Sequence, residues 1–179
     1  ALCFLTNPDN PSGLGTAAER IVELAERLPE RTMLIVDEAY VDFAHVPESL
    51  SMLPLLNNLP NVGVLRTFSK AYGLAALRLG FGVLPAWLAE YIRRTQVPFS
   101  VNSVAQAAGI AALADRKHLE RSLETVREGR IHLNRELLRL GCETWPSQAN
   151  FIMFRPPVSA TVLHEELLTY GVLIRPLGA

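Results

Sequence analysis

Three short stretches hold the residue types that could do chemistry. The first is Thr6-Asn7-Pro8-Asp9-Asn10-Pro11-Ser12-Gly13. The second is Asp37-Glu38-Ala39-Tyr40. The third is Arg66-Thr67-Phe68-Ser69-Lys70, with Arg78 eight residues further on. Between them they offer carboxylates, hydroxyls, side-chain amides, one amine and two guanidinium groups. Those types suit holding a polar ligand and carrying out acid–base or amine chemistry on it. Taken singly, each has a plain alternative. An Asn/Pro/Gly run can be only a loop feeding a helix, an Asp-Glu pair a solvated strand end, and a lysine a surface charge. Placement gives them weight. Each stretch ends a short apolar run, and in open parallel sheets ligands bind beyond the carboxyl ends of the strands.

The elements that must position these stretches can be read from the apolar pattern. Residues 1–6 are strand-like, and their apolar run reads as buried. Residues 7–15 form a turn cluster. Thr16, with Glu19 three residues on, reads as a capping box. It opens a helix whose face is Ala17, Ile21, Leu24, Ala25 and Leu28. Residues 32–36 are an unalternated apolar run, as a parallel strand covered on both faces requires. Residues 62–66 and 79–84 are further strands. Strand, helix and strand at this spacing predict βαβ units and an α/β fold, a mostly parallel sheet with flanking helices.

Helices are expected at 86–94 and 104–114. A long helix is expected at 118–140, striped by Leu119, Leu123, Val126, Leu133, Leu137 and Leu140 and followed by Gly141 at the C′ position. Such a stripe reads as a core face rather than a docking module. Strands at 142–145, 149–154 and 172–175 and a helix at 160–170 predict a small C-terminal α+β unit. The boundary falls inside the long helix, giving units 1–120 and 121–179.

Composition excludes several classes. The chain has 179 residues, 49% hydrophobic and 20% charged, with Lys+Arg 17 against Asp+Glu 18. That much apolar surface excludes disorder. Without a basic excess, nucleic acid is not an expected partner. Apolar runs such as 33–36 are far below the ~20 residues of a membrane span, and residues 1–5 do not read as a secretory signal. Cys3 and Cys142 sit in strand-like runs and read as buried free thiols, which suggests a reduced, cytoplasmic setting. His45, His118, His132 and His164 lack ligand spacing, so no metal site is expected. The apolar start without Met suggests a piece of a longer protein.

Together the three stretches resemble the cofactor site of fold-type-I pyridoxal-phosphate enzymes. Residues 7–13 are similar to that family's Asn-Pro-x-Asn-Pro-Thr-Gly loop, with Ser12 in place of Thr. Asp37-Glu38-Ala39-Tyr40 matches its Asp-Glu-Ala-Tyr strand end. Thr67-Phe68-Ser69-Lys70, followed by Leu77-Arg78-Leu79-Gly80, matches its Ser/Thr-x-Ser-Lys…Leu-Arg-x-Gly segment. The resemblance implies pyridoxal 5'-phosphate as cofactor. Lys70 is then the amine that meets its aldehyde and the base that later moves protons. Asp37 holds the proton on the ring nitrogen, and Tyr40 and Asn10 donate to the ring's 3-oxygen. Thr67, Ser69 and Arg78 take the phosphate. The implied reaction is transamination between a small-molecule amino donor and a 2-oxo acid.

Within that family the histidinol-phosphate aminotransferases are the nearest likeness. It rests on Val36-Asp37-Glu38-Ala39-Tyr40-Val41-Asp42-Phe43, on residues 66–75, on Pro98-Phe99-Ser100-Val101-Asn102, on Gln148-Ala149-Asn150-Phe151 and on Gly171-Val172-Leu173-Ile174-Arg175. It implies Asn150 and Arg175 as substrate-side residues, histidinol phosphate with 2-oxoglutarate as the substrate pair, and a homodimer. Members are roughly twice this long. They carry a phosphate-cradling helix start, a ring-stacking aromatic and a second substrate arginine that cannot be placed here. The chain alone is therefore expected to be weakly active or inactive. Phosphothreonine decarboxylases and general or aromatic aminotransferases share the scaffold and remain alternatives. Leu34-Ile35-Val36-Asp37-Glu38 also resembles a Walker B strand, although no Gly-x-x-x-x-Gly-Lys-Ser/Thr loop accompanies it.

Overall fold

The structure, a computed structural model, describes residues 1–177. The final two residues of the expected 121–179 unit lie outside the described residues. The first half runs β1 (Leu2–Thr6), α1 (Ala18–Arg27), β2 (Met33–Asp37), β3 (Val62–Thr67) and β4 (Gly80–Val83). Then come α2 (Ala86–Thr95), α3 (Ser103–Ala114), α4 (Arg116–Arg139), β5 (Glu143–Thr144), β6 (Phe154–Arg155) and α5 (Ala160–Thr169).

The main sheet has the order β1-β2-β3-β4. Its first three strands are parallel, with Thr6 beside Asp37 and Asp37 beside Leu65. β4 runs antiparallel to β3, pairing Thr67 with Gly80. The fold is thus α/β with a mostly parallel sheet, as the unalternated run of β2 predicts. Leu34, Val36, Val62 and Val64 form one face of the core, closed by Ala18, Ile21 and Ala25 of α1 and by Met52 and Leu59. Removing that apolar area from water is what holds the three parallel strands in register and brings their carboxyl ends level.

Several expectations are corrected. β1 is not buried. It is an edge strand that alternates in exposure, and Leu2 and Phe4 are 64% and 69% exposed. Cys3 and Cys142 are unpaired but only half-buried. The Thr16 capping box does not form. α1 starts at Ala18 with Ala17 at its N-cap and no side-chain cap, because both the amide and the carbonyl of Thr16 are already bonded to the Asn7 side chain. The crossover from β2 to β3 is not an α-helix. It consists of 3-10 turns at Val41–Phe43, Pro47–Ser49 and Leu53–Asn58, since Pro47, Pro54 and Pro60 each interrupt a continuous helix.

α4 contains no buried residue. Its Leu119, Leu123, Val126 and Leu137 are half-buried, while Leu133 and Leu140 are exposed. It ends where expected, with Gly141 N donating to Leu138 O and Cys142 N to Leu137 O, the paired bonds of a Schellman stop. The C-terminal unit has less strand than expected. β5 and β6 pair over two residues each. Residues 149–153 are irregular, and 172–175 form no strand because no neighbouring strand hydrogen-bonds to them. Among the described residues no helix is long and apolar enough to cross a membrane, and no group of His, Cys, Asp and Glu could hold a metal ion.

Candidate active site

The carboxyl ends of β1, β2 and β3 open into one cleft of about 410 Å³. Asn10, Asp37, Tyr40, Thr67, Ser69, Lys70 and Arg78 all line it. The structure thus brings together every residue singled out on the cofactor side. Thr6, Pro8, Ala39, Leu65 and Arg66 complete the wall.

Each side chain is held by a local device. Asp37 is half-buried, and its Oδ1 accepts the Ala39 amide at 3.0 Å. Its Oδ2 accepts no hydrogen bond from the described residues. Tyr40 OH accepts from Asn10 Nδ2 at 3.3 Å. Lys70 Nζ lies 5.1 Å from the centre of the Tyr40 ring, a cation–π distance, on an exposed side chain. Thr67 Oγ1 donates to Leu79 O and accepts the Ser69 amide, so the turn before Lys70 is tied to the start of the β4 hairpin. Arg78 has φ +53°, the left-handed region, and its Nη1 donates to Ala75 O at 2.8 Å. A non-glycine residue in that region on a ligand cleft is strain kept for position.

Residues of the same three stretches also brace the cleft from behind, a role not read from the sequence. Asn7 is fully buried. Its Nδ2 donates to Thr16 O and Leu50 O, and its Oδ1 accepts Thr16 N, which fixes the loop after β1. Glu38 is also fully buried. It accepts from Ser51 Oγ, from Met52 N at 2.6 Å and from Arg66 Nε at 3.0 Å, with Arg66 Nη2 at 2.8 Å. Arg66 Nη1 also reaches Asp42 at 3.2 Å. Burial pushes the Asp42 carboxyl up from its ordinary value, and Arg66 only partly opposes this. In the loop after β1, the Ser12 hydroxyl holds Asp9 below the ordinary carboxylate value, helped by the Ser12 amide and Thr6 against some desolvation. The signal for the Glu38–Arg66 brace was available: an acid just past the end of β2 and a base near the end of the neighbouring parallel strand β3. It also removes the Walker B reading, because Glu38 points into the protein and supplies no second carboxylate to the cleft.

A second cleft, of about 530 Å³, opens on the other side of Lys70 and includes Asn150, Phe43, His118 and Arg121. Asn150 therefore shares that cleft with Lys70. Arg175 is exposed and lines neither cleft, since the strand expected to carry it does not form.

Residues 1–179 match the family Aminotransferase class I and II. The chain belongs to that family. It is 51% identical over 183 residues to a histidinol-phosphate aminotransferase of Oleidesulfovibrio alaskensis, covering 100% of this chain and 48% of that protein. It is 49% identical over 177 residues to one of Nitratidesulfovibrio vulgaris, covering 99% of this chain and 48% of that protein. The crystal structure of histidinol-phosphate aminotransferase from Sinorhizobium meliloti in complex with pyridoxal-5'-phosphate superposes with a TM-score of 0.92 at 35% identity. That match covers 99% of this chain and 49% of that one. This class I and II aminotransferase chain spans about half the length of the relatives it matches.

Proposed function

We propose that the cleft at the ends of β1–β3 binds pyridoxal 5'-phosphate, and that the whole protein uses it to move an amino group between histidinol phosphate and 2-oxoglutarate. The observation that carries this reading is the convergence of one amine, one carboxylate, a phenol–amide pair and a hydroxyl–guanidinium group on a single cleft. This donor set fits the cofactor group by group. Asp37 suits a protonated ring nitrogen, Tyr40 and Asn10 the 3-oxygen, Thr67, Ser69 and Arg78 a phosphate, and Lys70 the aldehyde. The volume suits a small ligand. When bound, the cofactor supplies an electron sink for the carbon that loses its proton.

The chain's own residues do the rest. Asp37 keeps a proton on the ring nitrogen by a charge-assisted hydrogen bond. Thr67, Ser69 and Arg78 anchor the phosphate and so fix the distance to Lys70. Lys70 Nζ carries the proton between carbons as general base and then general acid. Asn150, which lines the second cleft with Lys70, and Arg175, an exposed cation suited to a substrate phosphate, are proposed on the substrate side of the whole protein. We place the reaction in the cytoplasm, supported by the unpaired Cys3 and Cys142. We also propose a homodimer for the whole protein and a domain boundary within α4, separating 1–120 from 121–179.

The test is capture. Mixing the chain with pyridoxal 5'-phosphate is expected to give a visible absorption band that borohydride bleaches, leaving a fixed mass increment on the peptide containing Lys70. Lys70→Ala should give neither. An increment on Lys117 or the N-terminus and none on Lys70 would refute the reading. For the whole protein, histidinol phosphate with 2-oxoglutarate is expected to give glutamate and the ketone left by loss of the amino group; no glutamate from that pair, with CO₂ released from O-phosphothreonine, would identify a decarboxylase instead.

A further inference from the structure

Residues 147–151, between β5 and β6, are fastened to the rim of the cleft from several sides. Gln148 N donates to Gly13 O at 2.7 Å, in the loop after β1. His45 N donates to Gln148 Oε1 at 2.7 Å, in the segment after β2. Arg130 Nη1, on α4, donates to Ala149 O at 2.7 Å and to Phe43 O at 3.0 Å. Ala149 is fully buried beneath these bonds. At the end of the segment, the Phe151 and Tyr40 rings pack in a T-shaped pair, with centroids 5.2 Å apart and planes at 88°.

The choice of arginine at 130 is informative. Burial lowers the pKa of its guanidinium, and among the described residues it makes no ion pair with a carboxylate. Its cationic group is satisfied only by backbone carbonyls of two separate segments. A half-buried cation without a counter-charge costs stability compared with an aliphatic side chain, so it persists where its forked donors do something an aliphatic cannot. Here one nitrogen ties Phe43, three residues beyond Tyr40, to Ala149, two residues before Phe151.

We propose that Arg130 and Gln148 are positioning residues: by fastening 147–151 to the cleft rim they hold the Phe151 ring against Tyr40, and so fix the phenol that faces Lys70. This deepens the cofactor reading above and rests on it for its functional consequence. Neither residue touches the cleft. They act through Phe151, which packs against the ring whose hydroxyl meets Asn10 and whose face lies near Lys70 Nζ.

The test labels the chain with 3-fluorotyrosine and follows the ¹⁹F resonance of Tyr40, assigned by its loss in Tyr40→Phe, with no cofactor present. Gln148→Ala, a change at a half-buried surface residue that leaves the core intact, should move the Tyr40 resonance toward its unfolded position, as should Phe151→Ala. Arg130→Met should do the same and Arg130→Lys should restore it, since an ammonium can still donate to both carbonyls. The dissociation constant for pyridoxal 5'-phosphate should rise about tenfold in Gln148→Ala and Phe151→Ala, the size of one lost aromatic contact. A fastening that is merely structural would lower the melting temperature and leave the Tyr40 resonance where it is. An unmoved resonance in both Gln148→Ala and Phe151→Ala overturns the proposal. If the unsubstituted chain takes up no cofactor, the cofactor reading fails, and the fluorine signal still decides the positioning role.

Discussion

Replacing Arg66 with methionine removes the guanidinium that faces Glu38 and leaves the rest of the pocket in place. Glu38 is fully buried, so its carboxylate keeps only the Ser51 hydroxyl and the Met52 amide as donors. Breaking a buried pair by deleting one partner costs about 3–5 kcal/mol, because the remaining charge is uncompensated. Asp42 loses the same cation and is itself mostly covered, which places the expected cost toward the upper end. Glu38→Gln should cost less, about 1–3 kcal/mol. Its amide oxygen can still accept Met52 N, while its NH₂ faces the Arg66 donors that Oε2 now receives. In the double variant the Glu38 charge and the unmatched guanidinium are both gone and only Asp42 still lacks its cation, so its cost should fall below that of Arg66→Met alone. The coupling energy should be about 2 kcal/mol or more, the range seen for residues sharing one network. Urea unfolding at neutral pH of the four proteins reads this directly, as midpoint shifts at constant slope. Additive single costs, or an Arg66→Met cost below about 1 kcal/mol, would show that the pair does not brace the ends of β2 and β3.

Other expectations follow from single groups. Gly13 has φ +76° and a Cβ there would run into Ser147, whereas Gly73 has φ +69° with nothing near its Cβ position. Gly73→Ala should therefore cost the backbone term alone, about 1–2 kcal/mol. Gly13→Ala should cost more, and equal melting shifts would remove the crowding argument. Asp42 is raised above its ordinary 3.8 by burial. Between that value and its higher folded one, the folded chain holds a proton the unfolded chain has lost, so stability falls as pH rises through the window. Asp42→Asn abolishes this slope, and its stability relative to the unsubstituted chain should improve from about pH 3 to about pH 7. Asp9 is lowered, chiefly by the Ser12 hydroxyl, so its contribution has the opposite sign. It is present above the unfolded value and lost as pH falls through the folded one, and the cost of Asp9→Asn should fade in acid.

The parts of the fold that could be read in the sequence share one property: the information was local. The apolar run of β2, the stop at Gly141 and the polar strand ends each lie within a few residues. So the cleft residues on those ends, from Asn10 to Arg78, were found together. Misreadings came where a distant partner decides. β1 looked buried because Leu2 and Phe4 are apolar, yet burial there depends on a neighbour along the sheet edge. Thr16 had the right spacing for a cap, but Asn7 had already taken its backbone. The 172–175 run has strand composition without a strand to pair with. The bracing roles of Glu38, Arg66, Arg130 and Gln148 escaped notice for the same reason. The partners of their side chains lie between 13 and 103 residues away, as in Ser51 with Glu38 and His45 with Gln148, and no periodicity encodes such pairs.

The distribution of covered and uncovered surface separates capture of a cofactor from turnover. One face of the sheet is closed by α1 and the segment that includes Met52 and Leu59. The other face is open at Leu2 and Phe4, and large apolar side chains also stand exposed at Trp87, Tyr91, Val97 and Phe99. Exposed apolar surface of this extent marks regions that meet other protein, in a chain spanning about half the length of its relatives. The cleft depends little on that open surface. Asp37 and Thr67 end the two central strands, Lys70 follows three residues after Thr67, and these strand ends are held by Asn7 and by the Glu38–Arg66 pair from inside the covered core. Binding of an aldehyde-bearing ligand at Lys70 should thus survive in this chain by itself. Catalysis needs groups on both sides of a bound substrate, and for that the cleft supplies one wall.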